Sequence, residues 1–488
     1  MTRLLIDTVC PGAGTCIVIG DLAGIEPARL QPYRHILWWC DAPTPPPPLA
    51  AGVELLSPAV PDAEAHLERF LRRDPRRLPS LIVTAAAVGP AYAGVLDLVH
   101  NVLESAHRTR LTRQKDGFIW QRHVLKNARG YIRNRLPAAW AGALRGFPAI
   151  VCGSGPSLEV SLPALAAAAP NAVVFSADSA LRALARHGVA ADFAVSIDAA
   201  KIPEKCLPAT HPPMRVILAS VSPPAWGEVP LANPPLFLSG PQLTDDWLAA
   251  QGVPRTGVAI AESCGSTALE LARHLGCDPV CLFGMDLAVD EADPARRHQR
   301  DADPALYINS NYDPAAVLPR VPGNYAETVP CFALGDWRAL DARLATSSTG
   351  RVVNVTDRGA RLRGTTVAHP GAFSLDASPV AKAVPLAALS AEPAAHPAPL
   401  HRLAALGERA QFALPDLRRA LALGGPAALA AAFRPLVVDP ELGRALGAYA
   451  LKLMPHLVPP AEGDPARWQT LLDEFAELAA LLRESASA

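Results

Sequence analysis

The chain has 488 residues, half of them hydrophobic, and its 45 Lys and Arg nearly balance its 46 Asp and Glu, for a formal net charge of −1. That length allows about two to four domains with sizeable cores. The charge balance argues against a nucleic-acid binder, which carries a basic excess or stripe. The nine cysteines are scattered and form no CxxC pair, which argues against a zinc ribbon or redox dithiol and fits buried free thiols in a reducing compartment.

The first residues, MTRLLIDTVCPGAGTC, do not read as a signal peptide, because Asp7 and a glycine-proline cluster break the apolar run. No uninterrupted apolar segment approaches the ~20 residues that span a bilayer. Cytoplasmic residence without membrane insertion is therefore expected. Short β-like runs at 4–6, 15–19, 35–39 and 80–84 and a helical stretch at 92–108 predict a small α/β domain over residues 1–112. A basic, amphipathic helical connector follows at 113–145, reading as a solvated helix face or as a surface for an anionic partner.

From 146 to about 300, strand-like runs at 149–152, 172–176, 193–197, 215–219, 236–238 and 280–283 alternate with helical patterns such as 179–187 and 266–275. Such alternation predicts an α/β domain with a mostly parallel sheet covered on both faces. Residues 301–350 lack periodicity and read as a long loop or lid. The segment 351–367, RVVNVTDRGARLRGTTV, reads as strand, turn, strand and closes a central domain over 146–375. A proline-alanine linker at 391–399 leads to an alanine- and leucine-rich helical domain at 400–488.

The most informative stretch is AIVCGSGPSL at 149–158: an apolar run, the turn Gly153-Ser154-Gly155-Pro156-Ser157, then a helical stretch. Glycines let backbone turn sharply and approach a ligand. Amides freed in such a turn beside a helix N-terminus favour a phosphate or carboxylate. Polar residues recur at the other strand ends: Asp178-Ser179, Asp198, the helix-opening Cys264-Gly265-Ser266-Thr267, and Gly284-Met285-Asp286. In a parallel sheet these carboxyl ends meet at one crevice. Each has a plainer reading. Asp178 or Ser179, and Ser266 or Thr267, serve equally as helix caps, and Asp198 as a turn residue. Asp286 follows a buried strand, where an ionised carboxylate needs a partner. Asp301 and Asp303 make an Asp-x-Asp, the spacing of a divalent-metal site, but lie in the charged run RRHQRDAD and read as a solvated loop. His298 in that run has the pKa range of an acid/base group, or is an exposed loop histidine. There is no GxxxxGK[ST] and no GxSxG, which weakens P-loop and α/β-hydrolase readings.

Taken together, FPAIVCGSGPSLEVSLPAL, VVFSADSALRALARHGVAADFAVSIDA, ESCGSTALELARHLGCDPVCLFGMDLA and RVVNVTDRGARLRGTTV resemble the motility-associated factor glycosyltransferases over roughly residues 120–370. The same domain resembles the archaeal 6-hydroxymethylpterin diphosphokinase, and GSGPSL resembles the loop with which bacterial sialyltransferases contact a CMP-sugar. The resemblance implies a Rossmann-like, sialyltransferase-like (GT-A-type) central domain. It implies an inverting transferase moving a CMP-activated nonulosonic acid onto Ser/Thr of flagellin. Gly153, Ser154, Gly155, Pro156 and Ser157 would hold phosphate and ribose. Asp178 and Ser179 would contact the nucleotide, Gly265, Ser266 and Thr267 would face the donor, and Gly284, Asp286 and Asp198 would line the crevice. The base would be Asp286, Asp198 or His298, in that order. Ser154 departs from the asparagine of the sialyltransferase loop. A pyrophosphoryl transferase using ATP and Mg²⁺, with Asp198 and Asp286 holding metal, and a non-catalytic nucleotide-sugar or flagellin binder are the alternatives.

Overall fold

A computed structural model of the chain describes residues 14–20, 30–41, 52–71, 78–84, 89–231, 233–302, 318–346, 350–376, 380–391, 397–457 and 464–486, with the single positions 28 and 87. The run at 4–6, Cys10, Asp303 and most of the linker lie outside them. Two compact units emerge: Met1–Asp116 with Leu451–Ala461, and Gly117–Ala450 with Glu462–Ala488.

In the first unit, β1 (Thr15–Ile19), β2 (His35–Trp39), β3 (Gly52–Leu56) and β4 (Ser80–Val83) form a parallel sheet in the order β3-β2-β1-β4. The central strands TCIVI and HILWW are almost wholly buried, as a parallel sheet requires. Helix α1 (Ala63–Leu71) and the start of α2 (Ala93–Arg133) supply Leu67, Phe70, Val95, Val99 and Leu103 to its core. The edge strand β3 was not foreseen. Its GVELL is half-exposed and carries no continuous apolar run.

The boundary expected at 112/113 falls inside α2, a single helix. Its later turns bury Val124, Leu125, Ala128, Tyr131 and Ile132 in the second unit, so the basic stretch is one amphipathic helix rather than a separate connector.

The second unit is built on β5 (Ala149–Cys152), β6 (Val173–Ala177), β7 (Phe193–Ser196), β8 (Arg215–Leu218), β9 (Leu236–Phe237), β10 (Val280–Phe283), β13 (Val352–Val355) and β14 (Thr365–Ala368), all parallel, in the order β14-β13-β10-β5-β6-β7-β8-β9. The chain steps outward from β5 to β9, then returns to place β10 on the other side of β5, with Cys152 opposite Phe283. The order therefore reverses between β5 and β10, and a crevice opens outside the carboxyl ends at such a point. Strand-turn-strand over 351–367 holds, but β13 and β14 pair in parallel, with only residues 356–364 returning the chain. That is short for a parallel connection.

Helices α3 (Ser157–Ala168), α4 (Leu181–Arg186), α5 (Pro203–Cys206), α6 (Leu243–Ala250) and α7 (Cys264–His274) fall between strands. Within the expected loop 301–350, the hairpin β11 (Arg320–Pro322) and β12 (Thr328–Pro330) precedes α8 (Leu334–Thr346). After α9 (Ala383–Ala388) come α10 (Pro397–Val438), α11 (Leu442–Ala445), α12 (Gly447–Leu453) and α13 (Pro465–Glu484). α10 and α13 touch backbone to backbone at Gly407, where a Cβ would sit 2.3 Å from Arg483 N. By length and composition residues 398–438 are apolar enough to cross a bilayer, with a mean hydropathy of 1.6 over the window. The segment is interrupted at Gly425 (φ 64, ψ −158) and buries Leu403, Leu406, Leu429 and Phe433.

Candidate functional site at the β5–β10 crevice

The turn after β5 is locked to the end of β10. Gly153 N donates to Phe283 O at 2.8 Å and Gly155 N to Gly284 O at 2.8 Å. A Cβ on Gly153 would lie 2.4 Å from Gly284 O, and one on Gly155 2.6 Å from Asp286 Oδ2. The glycines thus serve close packing of two strand ends. Gly284 itself takes φ 65, a left-handed conformation that suits glycine.

Helix α3 begins at Ser157 behind Pro156, which offers no side-chain cap. Asp286 supplies one from the neighbouring strand end: Oδ2 accepts from Ser157 N at 2.7 Å and Oδ1 accepts from the Ser157 hydroxyl. Asp286 is 3% exposed. Burial raises its pKa, opposed by the Ser157 bonds. Both oxygens therefore hold α3 in place, and Asp286 is not presented to an acceptor hydroxyl as the foremost base. The amides of Gly153, Gly155 and Ser157, expected to face an anion, bond to protein instead. Among the described residues no partner takes the Ser154 amide.

Above the turn the polar groups connect. The Ser179 hydroxyl donates to Ser154 Oγ at 3.0 Å, and Ser154 Oγ lies 3.1 Å from His298 Nδ1. Ser154 Oγ, which accepts from Ser179, either donates to His298 Nδ1 or accepts from it, according to the tautomer of the ring. Gln299 closes the arrangement, its N donating to Ser154 O at 2.8 Å and its Nε2 to Ser179 O at 3.2 Å. The segment carrying His298 is pinned to α3 by Arg296 and the Arg300 amide, both on Glu159 Oε1, and to α4 by an Asp301–Arg186 ion pair. His298 is therefore not an exposed loop residue. Burial, with Lys201 and Arg297 nearby, lowers its pKa to about 3 and holds the ring neutral.

At the end of β6, Asp178 is 1% exposed. Its Oδ1 accepts from Ser179 N at 2.7 Å, and Oδ2 accepts from Ser196 Oγ at 2.8 Å and Cys264 Sγ at 3.4 Å. Burial raises its pKa, and Lys201 opposes the rise. Asp198, past β7, is exposed and accepts from Ala200 N at 2.9 Å, the geometry of a turn residue. On α7 the cap is Ser263, whose Oγ accepts from Ser266 N at 3.1 Å. Ser266 and Thr267 are fully buried, and Gly265 packs on Met285. These three residues shape the crevice wall rather than cap the helix.

Sequence reasoning missed Lys201, Gln299 and Ser263. Lys201 is 7% exposed, with Trp226 Nε1 donating to its carbonyl at 2.8 Å. A lysine three residues past a strand-end aspartate was the available signal. A cleft of about 500 Å³ also runs along the flank of α7, lined by Gly257–Ala261, Glu270, Arg273, His274 and Arg343, and it does not include the glycine turn.

Buried carboxylates, hydroxyls and a neutral imidazole thus gather where the strand order of a parallel α/β sheet reverses, the place at which such sheets bind ligands. A family model described as 6-hydroxymethylpterin diphosphokinase MptE-like matches residues 122–292, so this part of the chain is similar to that family. Among solved structures, the Maf glycosyltransferase of Magnetospirillum magneticum AMB-1 aligns with a TM-score of 0.53 at 18% identity, covering 96% of this chain and 78% of that one. The chain therefore shares its fold with a Maf glycosyltransferase, as the sequence motifs implied. No curated protein matches the chain.

Proposed function

We propose that the chain is a glycosyltransferase that moves a CMP-activated nonulosonic acid onto Ser/Thr of a protein acceptor, flagellin being the acceptor implied by the sequence resemblance and the cytoplasm its compartment. The observation that carries the reading is the hydrogen-bonded chain Ser179–Ser154–His298 at the β5–β10 switch point, within a fold shared with a Maf glycosyltransferase. The Ser154 amide is offered to the nucleotide, and the Ser154 and Ser179 hydroxyls reach it once they exchange their mutual bond for one to the ligand. Departure of CMP leaves negative charge that such pre-aimed donors stabilise. His298 is the candidate base, 3.1 Å from Ser154 Oγ, and its low pKa in the ligand-free site has to rise when the anionic donor binds for it to take a proton. General base catalysis of this kind contributes about 10²–10⁴-fold. Asp286 acts through Ser157 as the anchor of α3.

The family description favours a second reading, pyrophosphoryl transfer to a pterin from ATP with Mg²⁺. Of the two carboxylates that reading would use for metal, Asp286 has both oxygens on Ser157.

Thermal unfolding with CMP, CTP, AMP and ATP/Mg²⁺ separates the two. A ligand at about 100 Kd stabilises its site by about 2.7 kcal/mol. Stabilisation by CMP and CTP, with little from AMP, is the expected result; a response confined to ATP/Mg²⁺ replaces the transferase reading with the second.

A further inference from the structure

We propose that the cleft beside α7 holds an extended segment of the protein acceptor, added as a strand along residues 257–261.

Those residues read Gly-Val-Ala-Ile-Ala, branched apolar side chains alternating with small ones. Val258 is buried in the core of the central sheet, whereas Gly257 and Ala259 are exposed. The segment runs beside the chain just past β9, with Ala259 pairing in parallel with Ser239. Ile260 N donates to Ser239 O at 3.4 Å, Thr256 N to Ser239 Oγ at 3.0 Å, and Ser239 N to Thr256 Oγ1 at 2.9 Å. Successive residues of a strand turn their N–H and C=O groups to opposite sides. Those of Ala259 therefore face away from Ser239. Among the described residues neither group of Ala259 has a partner, nor has the N–H or C=O of Gly257. Unpaired main-chain groups along a sheet edge are a template for one more strand.

This edge is held in place before anything binds. Thr256 Oγ1 donates to Val258 O at 2.8 Å, and Ala261 N donates to Thr267 Oγ1 at 3.0 Å. Gly257 lies against the His274 ring, where a Cβ would sit 2.6 Å from Cε1. A fixed edge loses little conformational freedom on binding. The contacts at its two ends also give its direction: it follows α7 from His274, in the last turn, to Thr267, in the first. That first turn is the one whose Cys264 meets Asp178 at 3.4 Å. An added strand thus lies along the helix that opens at the proposed transfer site.

The charges of the cleft favour main chain over an ion. Arg343, from α8, bonds both oxygens of Glu262 at 2.6 Å and reaches Glu270 Oε1 at 3.4 Å, and Arg273 lies 3.9 Å from that same oxygen. With these cations paired to carboxylates, neutral peptide groups match what the edge leaves open. The volume of about 500 Å³ is that of a ligand site.

This assignment rests on the protein-acceptor reading above, and the experiment keeps the two apart. The probes are flagellin monomer and short peptides selected from a random displayed library on the full-length wild-type chain. Both are tested by fluorescence anisotropy on Ala259→Pro, Ala259→Ser and Thr346→Trp, with circular dichroism as the check on folding. Ala259→Pro removes an N–H that the fold leaves unused, as proline does on an edge strand. Thr346→Trp narrows the cleft from α8, where the threonine hydroxyl bonds only its own helix. The expected result is binding about tenfold weaker to Ala259→Pro, the size of one or two main-chain bonds. Thr346→Trp loses binding, Ala259→Ser keeps it, and hydrogen exchange across 257–261 slows in the complex. Peptides that follow this order while flagellin binds nowhere keep the docking site and remove flagellin as the acceptor. Flagellin bound equally by all the chains keeps the acceptor reading and overturns the docking site. So does the absence of any probe sensitive to both Ala259→Pro and Thr346→Trp, or exchange across 257–261 that binding leaves unchanged. If Ala259→Pro does not fold, Thr346→Trp and the exchange measurement decide.

Discussion

At the scale of single residues, the crevice holds titrating groups whose burial pushes in opposite directions, and this gives a signed pH prediction. His298 has a folded pKa of about 3 against an ordinary 6.5. Above pH 6.5 both folded and unfolded chains carry it neutral. As pH falls from 6.5 towards 3, the unfolded chain takes up a proton that the folded chain refuses, so stability declines by at most about 1.4 kcal/mol per pH unit. Asp178 and Asp286 have raised pKa values. Below those values the folded chain is protonated first, so each adds stability as pH falls towards 3.8. His298→Asn, which keeps an acceptor for Ser154, should flatten the decline in unfolding free energy between pH 6.5 and 4, whereas Asp178→Asn should steepen it. Chemical denaturation across that range reads both, and a His298→Asn profile parallel to the wild type would refute a neutral buried ring. In a transferase assay the same variant should lose about 10²–10⁴ in kcat with CMP affinity nearly unchanged. The buried aspartates were legible because an ionisable group ending an apolar strand needs a reason to be there. Lys201 and Gln299 were not, because their hydrogen-bond partners are distant in sequence: Trp226 for the carbonyl of one, the Ser154–Ser179 pair for the other.

At the scale of elements, the site is a junction of strand ends, and its glycines measure how tightly they meet. Gly155→Ala would put a methyl 2.6 Å from Asp286 Oδ2. The methyl would also lie 2.8 Å from Gly284 O, so relief requires both Asp286 to leave Ser157 and the backbone at Gly284 to shift, and overpacking of about 1–3 kcal/mol should come with loss of nucleotide binding. Gly335→Ala on α8 is the counterpart, since its methyl meets nothing within 4 Å. It should be neutral or stabilise by up to about 1 kcal/mol. Thermal melts with and without CMP compare the two, and a Gly155→Ala chain that melts and binds like the wild type would show that the β5–β10 junction is looser than described. The central strands were readable because parallel strands buried on both faces are unbroken apolar runs, as in AIVC and VCLF. The β11–β12 hairpin and α8 were not. Strands of three residues with exposed ends carry no alternation to detect, and α8 buries only Leu340, Asp341 and Leu344.

At the scale of the whole molecule, the sequence indicated an α/β chain with a helical end but divided it differently from the contacts. Composition changes near 400, yet residues 397–450 belong to the same unit as the central sheet. The tie is Gln121, fully buried, whose Nε2 donates to Ala445 O at 3.0 Å and whose Oε1 accepts from Ala448 N at 2.9 Å. A glutamine on a basic helix gives no sign of partners more than 300 residues away. Every residue assigned here to the site lies within 117–450, and the first unit has its own core around Leu37, Trp39 and Phe70. Leu37 is fully buried, and Leu37→Ala should destabilise the chain by about 2–5 kcal/mol, as removal of a core leucine does. CMP should still bind this variant, under conditions where it remains folded, within about twofold of the wild-type affinity. Calorimetry at a temperature below its first thermal transition provides the check, because binding is then read while both units are folded. A tenfold loss of CMP affinity from this substitution would mean that the first unit takes part in nucleotide binding, and the site drawn from the central sheet alone would be incomplete.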